Sequence, residues 1–264
     1  MIYLTGDTHG EMSRFKFLDY SYGDIVIILG DFGGIFFNES RQFKEVRTQY
    51  EKEIFDTLND FKCTFLFIDG NHDNIDRLEN FPIKYKFGNQ VGEVSDNVFY
   101  LKRGHIYTIE DKKFMCMGGA LSQDRNHRTE GVDYWRDENP TFKDWNKLEM
   151  ELVNNQYKVD YVLTHTPPEF ITKIILEHQI KSNPHTPQYI IDSGQVDDLI
   201  KLNDPTAKTL NKVYDMIKFK IWFFGHMHLN ITFKDYPKFV GLYEKIVPLK
   251  DDDVDEYHKL LPDF

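Results

Sequence analysis

The sequence predicts an α/β protein with a single domain. Short runs rich in Ile, Val, Phe and Tyr alternate with longer amphipathic stretches, which is the sequence form of a sheet covered by helices. The 264 residues lie near the upper size of one compact domain, and no repeat or Pro/Gly/Ser-rich linker divides them. We therefore predict one domain over residues 1–250 and an acidic C-terminal tail over residues 251–264, whose DDDVDE stretch we expect to be solvated.

The predicted strands are short apolar runs that stop at glycine or polar residues. They are IYLTG, DIVIILG, CTFLFIDG, VFYL, IYTIED, KKFMCMGG, DYVLTH and KIWFFGH. We expect IYTIED to pair with KKFMCMGG. Two further runs around Tyr236 and Pro237 predict a closing hairpin.

The predicted helices lie between these strands. Residues 41–61 carry apolar side chains at helical spacing, so we expect a long helix that covers one face of a sheet. Shorter helices are predicted at 13–20, 145–155, 168–178 and 206–217. Asp204 and Pro205 precede the last of these and are typical of a helix start.

Composition and charge disfavour several classes of protein. No apolar run approaches the roughly 20 residues of a membrane helix, and Gly6 and Asp7 interrupt the only apolar stretch near the N-terminus, so we expect neither membrane insertion nor export. Cys63 and Cys116 lie in apolar runs, which favours buried thiols in a reducing cytoplasm. The net charge of −11 disfavours long nucleic acid as a partner.

Five of the predicted strands end in side chains that bind metal ions in many proteins. In chain order these are Asp7 and His9, then Asp31, then Asn71, His72 and Asp73, then His165, and finally His226 and His228. The loops at the carboxyl ends of strands in an α/β sheet form its binding crevice. We therefore expect these residues to converge on one site.

The residue types at these strand ends predict which ions would bind. Leaving His72 and Asp73 aside, they offer four imidazoles, two carboxylates and one amide oxygen, a mixed nitrogen and oxygen set suited to Mn²⁺, Fe²⁺, Zn²⁺ or Ni²⁺. Cysteine is absent from the set, which argues against a structural zinc site. A glycine stands before four of the ends, where we expect a positive φ or a close approach of the backbone.

The ordered motifs GDTHG, GDFGG, GNHD, the TH of LTHTPP, and GHMH resemble those of the calcineurin-like metallophosphoesterase superfamily. The resemblance spans residues 7–228. It implies a two-sheet sandwich flanked by helices, with two divalent metal ions at one edge, Mn²⁺ being our first choice. By position it assigns Asp7, His9 and His228 to one metal, Asn71, His165 and His226 to the other, and Asp31 to a bridge between them.

The second motif departs from the pattern of the superfamily's protein Ser/Thr phosphatases. Those enzymes usually extend it to GDxxDRG, whose arginine binds phosphate, whereas this chain reads GDFGGIFF. The third motif likewise lacks the acidic residue and arginine of that branch. Arg125 and Arg128, in GGALSQDRNHR, are candidates for the missing phosphate contact, and a solvated surface loop is the alternative interpretation.

The resemblance also implies a mechanism. A hydroxide bridging the two metals would be the nucleophile, so neither cysteine is needed for catalysis. His72 follows the proposed ligand Asn71 and is the predicted general acid. Asp73 is predicted to orient the His72 imidazole and to favour its charged form.

Three functions are consistent with this sequence. The favoured one is a phosphatase acting on a phosphomonoester, in a small molecule, nucleotide or phosphoprotein. A phosphodiesterase or nuclease would use the same metals with a longer groove. The third is a non-catalytic interaction module on the same fold, which the presence of all seven proposed ligands disfavours.

Overall fold

The computed structural model describes residues 1–186, 188, 191, 196, 200, 202–250 and 254–264. These residues form one sheet of 7 strands and one of 6 strands, with helices on the flanks. Apolar side chains from both sheets share one core cluster, so the sheets pack face to face. The two-sheet sandwich that the resemblance implies is confirmed.

The first sheet has a parallel centre with antiparallel edges. Its strands are β1 (Ile2–Thr5), β2 (Ile25–Leu29), β3 (Thr64–Ile68), β4 (Ile83–Lys86), β5 (Asn89–Glu93), β6 (Val98–Leu101) and β13 (Val247–Pro248). Their order is β13-β1-β2-β3-β6-β5-β4. Strands β1, β2, β3 and β6 run parallel, and the others are antiparallel to their neighbours.

The second sheet is built in a similar way. Its strands are β7 (His105–Ile109), β8 (Lys112–Met117), β9 (Tyr161–Thr164), β10 (Ile221–Phe224), β11 (Ile231–Thr232) and β12 (Phe239–Gly241). The order is β11-β12-β10-β9-β8-β7, with β8, β9, β10 and β12 parallel. The predicted pairing of β7 with β8 and the predicted hairpin of β11 with β12 are confirmed.

The hairpin of β4 and β5 was not predicted from the sequence. Most of the side chains of β4 are exposed, so this strand lacks the apolar run that marks a buried one. Phe87 and Gly88 connect the two strands and both have positive φ, 56° and 75°. A two-residue turn with glycine second is the local signal that predicts such a hairpin.

The α-helices of the described residues pack on the outer faces of the sheets, except the last one, which packs in the core between them. They are α1 (Lys44–Asn59), α2 (Ile75–Leu78), α3 (Phe142–Asn154), α4 (Glu169–Ser182), α5 (Pro205–Met216) and α6 (Val254–Leu260). Short 3₁₀ helices lie at Ser13–Phe17, Arg41–Phe43 and Arg125–His127. The carboxylate of Asp204 accepts from the backbone N–H of Thr206, as the predicted helix start requires.

Two outer cores hold these helices in place. Helix α1 buries Ile54 and Leu58 against the first sheet, whereas Val46 is exposed, so the packed face is shorter than the spacing predicts. Helices α3, α4 and α5 bury leucine, isoleucine and valine side chains against the second sheet. The helices thus leave the carboxyl ends of the parallel strands uncovered for the site.

The end of the chain packs against the sandwich. Residues 251–253 lie outside the described residues, but α6 follows them and buries Tyr257 in the core between the sheets, together with Leu261. The backbone N–H of Thr232 in β11 donates to the carbonyl of Pro262, and the carbonyl of Thr232 accepts from the backbone N–H of Phe264. Val254, Tyr257 and Leu261, three and four positions apart, lie on one helical face and pack on the core although the segment is acidic. The domain boundary at residue 250 stays a prediction.

Two further features bear on the sequence predictions. Among the described residues, none of the helices has both the length and the apolar character needed to cross a membrane. Cys63 and Cys116 are buried and carry free thiols, as predicted. Burial raises the pKa of both thiols, which makes them poor nucleophiles.

Candidate metal centre

The five predicted strand ends meet at one edge of the sandwich. Strands β1, β2 and β3 of the first sheet lead to Asp7 and His9, to Asp31, and to Asn71 and His72. Strands β9 and β10 of the second sheet lead to His165, and to His226 and His228. Of the seven proposed metal ligands, the first sheet therefore supplies both carboxylates, the amide and one imidazole, and the second sheet supplies the other three imidazoles.

Asp7, His9, Asp31 and His228 form the tightest group of ligand atoms. One ligand atom from each lies within 4.8 Å of the others. The Nε2 atoms of His9 and His228 are 3.2 Å apart, and His228 Nε2 is 3.3 Å from Asp7 Oδ2. That buried oxygen has no hydrogen-bond partner among the described residues. A cation would satisfy the carboxylate oxygen and both nitrogen lone pairs, so these residues fit a metal ion.

Asn71, His165 and His226 lie on the buried side of this group. His165 Nε2 is 3.1 Å from Asn71 Oδ1 and 3.4 Å from Asp31 Oδ2. Its Nδ1 donates to the carbonyl of Leu29 at 2.8 Å, which leaves Nε2 directed at the two oxygens. The rings of His165 and His226 are 5.0 Å apart, centroid to centroid. These donors also suit a divalent cation.

Asp31 stands between the two groups. Its Oδ2 atom is 3.9 Å from His9 Nε2 and 3.4 Å from His165 Nε2, so a single carboxylate oxygen faces an imidazole of each group. Its Oδ1 atom accepts from the backbone N–H of His72 at 2.8 Å, which fixes the carboxylate plane. The geometry suits the predicted bridge, although the bridging role itself stays a prediction.

Burial keeps three of the imidazoles neutral. It lowers the pKa of His9 to about 4 and that of His226 to about 3, and it lowers the pKa of His228 as well. Neutral imidazole is the form that binds a metal, because its unprotonated nitrogen carries the lone pair. Burial also raises the pKa of Asp7, to about 7. A nearby cation would favour the ionised form of that carboxylate.

Asp31 and His165 behave as a buried ion pair. Burial disfavours the charged form of each, but their mutual attraction outweighs it. The pKa of Asp31 is therefore held well below its ordinary range, and that of His165 is raised to about 10.

Four of the proposed ligands have an unusual backbone conformation. The φ angles of His9, Asp31, His226 and His228 are 46°, 47°, 61° and 50°. Residues other than glycine rarely adopt this left-handed conformation, and those that do cluster at functional sites. Tight packing around the ligands maintains the conformation. A Cβ on Gly70 would lie 2.0 Å from Asp31 Oδ1, and one on Gly225 would lie 2.4 Å from Asp7 Oδ1.

Comparison with protein families identifies the fold and its chemistry. The model of the family described as calcineurin-like phosphoesterase matches residues 1–230. The chain belongs to this family. It is a metallophosphoesterase, a hydrolase of phosphoric esters, and the family depends on a dinuclear metal centre. No curated protein and no solved structure matches the chain.

His72 of this phosphoesterase lies beside the metal ligands. Its ring is 5.5 Å from that of His9, and its Nδ1 is 2.9 Å from Arg128 Nη1. Burial lowers the pKa of His72, and the nearby Arg128 guanidinium lowers it further, although Asp31 acts in the opposite direction. The described contacts therefore favour a neutral imidazole.

Asp73 does not have the predicted position beside the His72 ring. Its buried carboxylate accepts from the backbone N–H groups of Phe32, Gly33 and Gly70, at 3.1, 2.8 and 2.9 Å. The prediction that Asp73 orients the His72 imidazole and favours its charged form does not fit these contacts. Instead Asp73 ties the loop after β2 to the loop after β3.

The structure separates the two predicted phosphate-binding arginines. Arg128 reaches His72 and so borders the site. Arg125 lies over the ring of Tyr134, 5.1 Å from its centroid, and its Nη1 is 3.7 Å from Glu138 Oε1. The phosphate contacts predicted for both arginines stay predictions.

Several residues that support the centre were missed in the sequence. Ser122 Oγ accepts from Asn71 Nδ2 at 3.0 Å, which turns the amide oxygen of Asn71 towards His165. Arg14 donates to the backbone carbonyls of Asp7 and Tyr243, at 3.1 and 2.8 Å. The Tyr243 ring stacks on that of His228 at 4.6 Å. Ser122 lies in the GGALS segment and Tyr243 in GLYEK, and neither residue carries a local sequence signal for a metal site.

Proposed function

We propose that this metallophosphoesterase is a phosphatase that hydrolyses a phosphomonoester in a small molecule, a nucleotide or a phosphoprotein. The observation that carries the proposal is the position of Asp31. Its single Oδ2 atom faces His9 on one side and His165 on the other, which is the arrangement expected of a carboxylate shared by two cations.

The residues that would hold the metal ions follow from this geometry. Asp7, His9 and His228 would hold one ion, Asn71, His165 and His226 the other, and Asp31 both. Two divalent cations in such a centre bind phosphate oxygens and make a water molecule nucleophilic. Because the donors are nitrogen and oxygen atoms without thiolate, we propose Mn²⁺ first, with Fe²⁺, Zn²⁺ or Ni²⁺ as alternatives.

Side chains of this chain would complete the reaction. The neutral imidazole of His72 would give its Nε2 proton to the oxygen of the leaving alcohol as the phosphorus–oxygen bond breaks; the imidazolate that remains would face the Arg128 guanidinium and regain a proton from water. Asp73 would hold the loops after β2 and β3 together, so that Asp31 and Asn71 keep their relative positions. Arg125 and Arg128 remain the candidates for contact with the phosphate.

The preference for a monoester rests on charge. The chain has a net charge of −11, which opposes the binding of a long phosphate backbone. A small substrate with one terminal phosphate presents fewer charges to repel. We also propose a cytoplasmic location, which the free and buried thiols of Cys63 and Cys116 support.

Hydrolysis of p-nitrophenyl phosphate and of bis-p-nitrophenyl phosphate tests the proposal. Both are assayed with added Mn²⁺, and the Asp31→Asn variant, purified in parallel, serves as the control for contaminating phosphatases. We expect a higher kcat/KM for the monoester. A higher kcat/KM for the diester would favour a phosphodiesterase, and no hydrolysis of either would contradict the proposed chemistry.

A further inference from the structure

We propose that Arg128 is a positioning residue that fixes the His72 imidazole in the tautomer with its proton on Nε2. This inference rests on the proposed function, in which His72 gives a proton to the leaving oxygen. It assigns to Arg128 the orienting role that the sequence predicted for Asp73.

The tautomer follows from the chemistry of the contact. Arg128 Nη1 lies 2.9 Å from His72 Nδ1, within hydrogen-bond distance. A guanidinium group can only donate, so Nδ1 must accept and carries no proton. The one proton of the neutral ring is therefore on Nε2, the nitrogen at the opposite end of the imidazole.

The guanidinium is itself held by a rigid frame. Its Nε and Nη2 donate to the two carboxylate oxygens of Asp124, at 2.7 and 2.8 Å, in a bidentate pair. Nη1 also donates to the backbone carbonyl of Asp133 at 2.9 Å. These three hydrogen bonds fix the plane of the guanidinium and the direction from which Arg128 Nη1 approaches His72 Nδ1.

The imidazole is consequently fixed at two points. The backbone N–H of His72 donates to Asp31 Oδ1, which sets the position of its main chain against the metal centre. Arg128 then sets the rotation of the ring. Without Arg128 the neutral ring would exchange between its two tautomers and would rotate more freely, so Nε2–H would be available for only part of the time.

The competing interpretation is that Arg128 binds the phosphate directly. The contacts described above use four of the five N–H groups of the guanidinium, two on Asp124, one on His72 and one on Asp133. Only one N–H, on Nη2, is left over, so a phosphate bound in a bidentate way would have to displace His72, Asp133 or Asp124. The geometry therefore favours a positioning role.

The experiment compares Arg128→Met, Arg128→Lys and Asp124→Asn with the wild type. The protein is loaded with Zn²⁺, which is diamagnetic, and the ¹⁵N resonances of the His72 ring are assigned by their loss in His72→Gln. We expect the wild type to show a protonated Nε2 and an unprotonated Nδ1. The same variants are assayed for kcat and KM on glycerol 2-phosphate.

In Arg128→Met we expect the two ring nitrogens to shift towards averaged values and kcat to fall about 10-fold, with KM nearly unchanged. Arg128→Lys keeps a donor and should recover part of the wild-type ¹⁵N pattern and of kcat. The ¹⁵N shifts and kcat of Asp124→Asn should lie between those of Arg128→Met and those of the wild type. Wild-type ¹⁵N shifts in Arg128→Met would overturn the proposal, as would a rise in KM with kcat unchanged, the signature of a phosphate contact.

Arg136→Gln is the matched control, because it removes one positive charge from the same segment. Arg136 is exposed and pairs with Glu130, and we expect its substitution to leave the His72 resonances unchanged. The ¹⁵N measurement does not depend on turnover. If the wild-type protein hydrolysed no phosphoester, the proposed function would fail, while the resonances would still decide whether Arg128 fixes the tautomer.

Discussion

The two halves of the metal centre differ in how completely the protein satisfies their donor atoms. In the buried half, His165 is hydrogen-bonded through Nδ1, faces Asn71 and Asp31 through Nε2, and is fully buried. In the outer half, the side chains of His9 and His228 are 35% and 50% exposed, and Asp7 Oδ2 has no hydrogen-bond partner in the described part of the chain. The buried half is thus held by protein contacts, whereas the outer half combines two partly exposed imidazoles with one buried carboxylate oxygen that no described residue hydrogen-bonds.

A ligand residue can therefore contribute both to metal binding and to the stability of the fold, and the two contributions differ between the halves. Removing His165 from the buried half also removes an ion pair from the protein interior. Removing His9 from the outer half leaves only a gap beside solvent. The substitutions below separate these contributions.

Asp31→Asn should have the largest effect, because Asp31 faces both halves. We expect loss of both metal ions and of nearly all hydrolysis, since the amide lacks the negative charge that two cations would share. Elemental analysis of the purified variant and its rate on p-nitrophenyl phosphate measure the two effects. Normal metal content with normal activity would show that Asp31 does not bridge the halves.

His165→Ala and His9→Ala compare the halves directly. Each variant should lose mainly one metal ion and a large part of the activity. In metal-free protein, His165→Ala should also lower the free energy of unfolding by about 3–5 kcal/mol, because it leaves the Asp31 carboxylate buried without its partner. His9→Ala should change it by about 0.5 kcal/mol or less, since its side chain lies at the surface.

Urea unfolding of the metal-free variants, together with elemental analysis, measures these differences. Equal losses of stability in the two variants would remove the distinction between a buried half and an outer half. Loss of both ions in His9→Ala would show that the halves bind metal cooperatively.

Much of the centre could be predicted from the sequence because its signals are local. Each of the seven proposed ligands follows an apolar strand within a few residues, and parallel strands bring their carboxyl ends to one edge. The contacts around the ligands are not local. His72 and Arg128 are 56 positions apart, and Arg14 and Tyr243 are 229 apart, so no spacing in the sequence indicates that they meet.

Two features of the structure lie beyond what adjacency and composition in the sequence indicate. Asp73 is next to His72 in sequence, but adjacent side chains in this loop point in different directions, and the carboxylate binds three backbone N–H groups instead. The acidic end of the chain suggested solvent exposure, but the apolar residues of α6 decide its packing. In both cases proximity or composition was a weaker guide than the burial of particular atoms.

His72→Ala should have a smaller effect than loss of a ligand in either half. We expect metal content to stay nearly unchanged, because seven other side chains are proposed to bind the ions. The rate on glycerol 2-phosphate should fall by about 10²-fold, and the rate on p-nitrophenyl phosphate by less, since p-nitrophenolate leaves with little need of a proton. Equal losses on the two substrates would remove the proton-donor role, and loss of a metal ion would make His72 a ligand.

The most direct test of the account is the metal content of the purified protein, measured by elemental analysis alongside hydrolysis before and after treatment with EDTA. Both halves together offer seven ligands with one shared carboxylate, so we expect about two divalent transition-metal ions per chain. Removing them with EDTA should abolish hydrolysis, and adding Mn²⁺ back should restore it. A metal-free protein that hydrolyses phosphoesters at the full rate in EDTA would contradict the account.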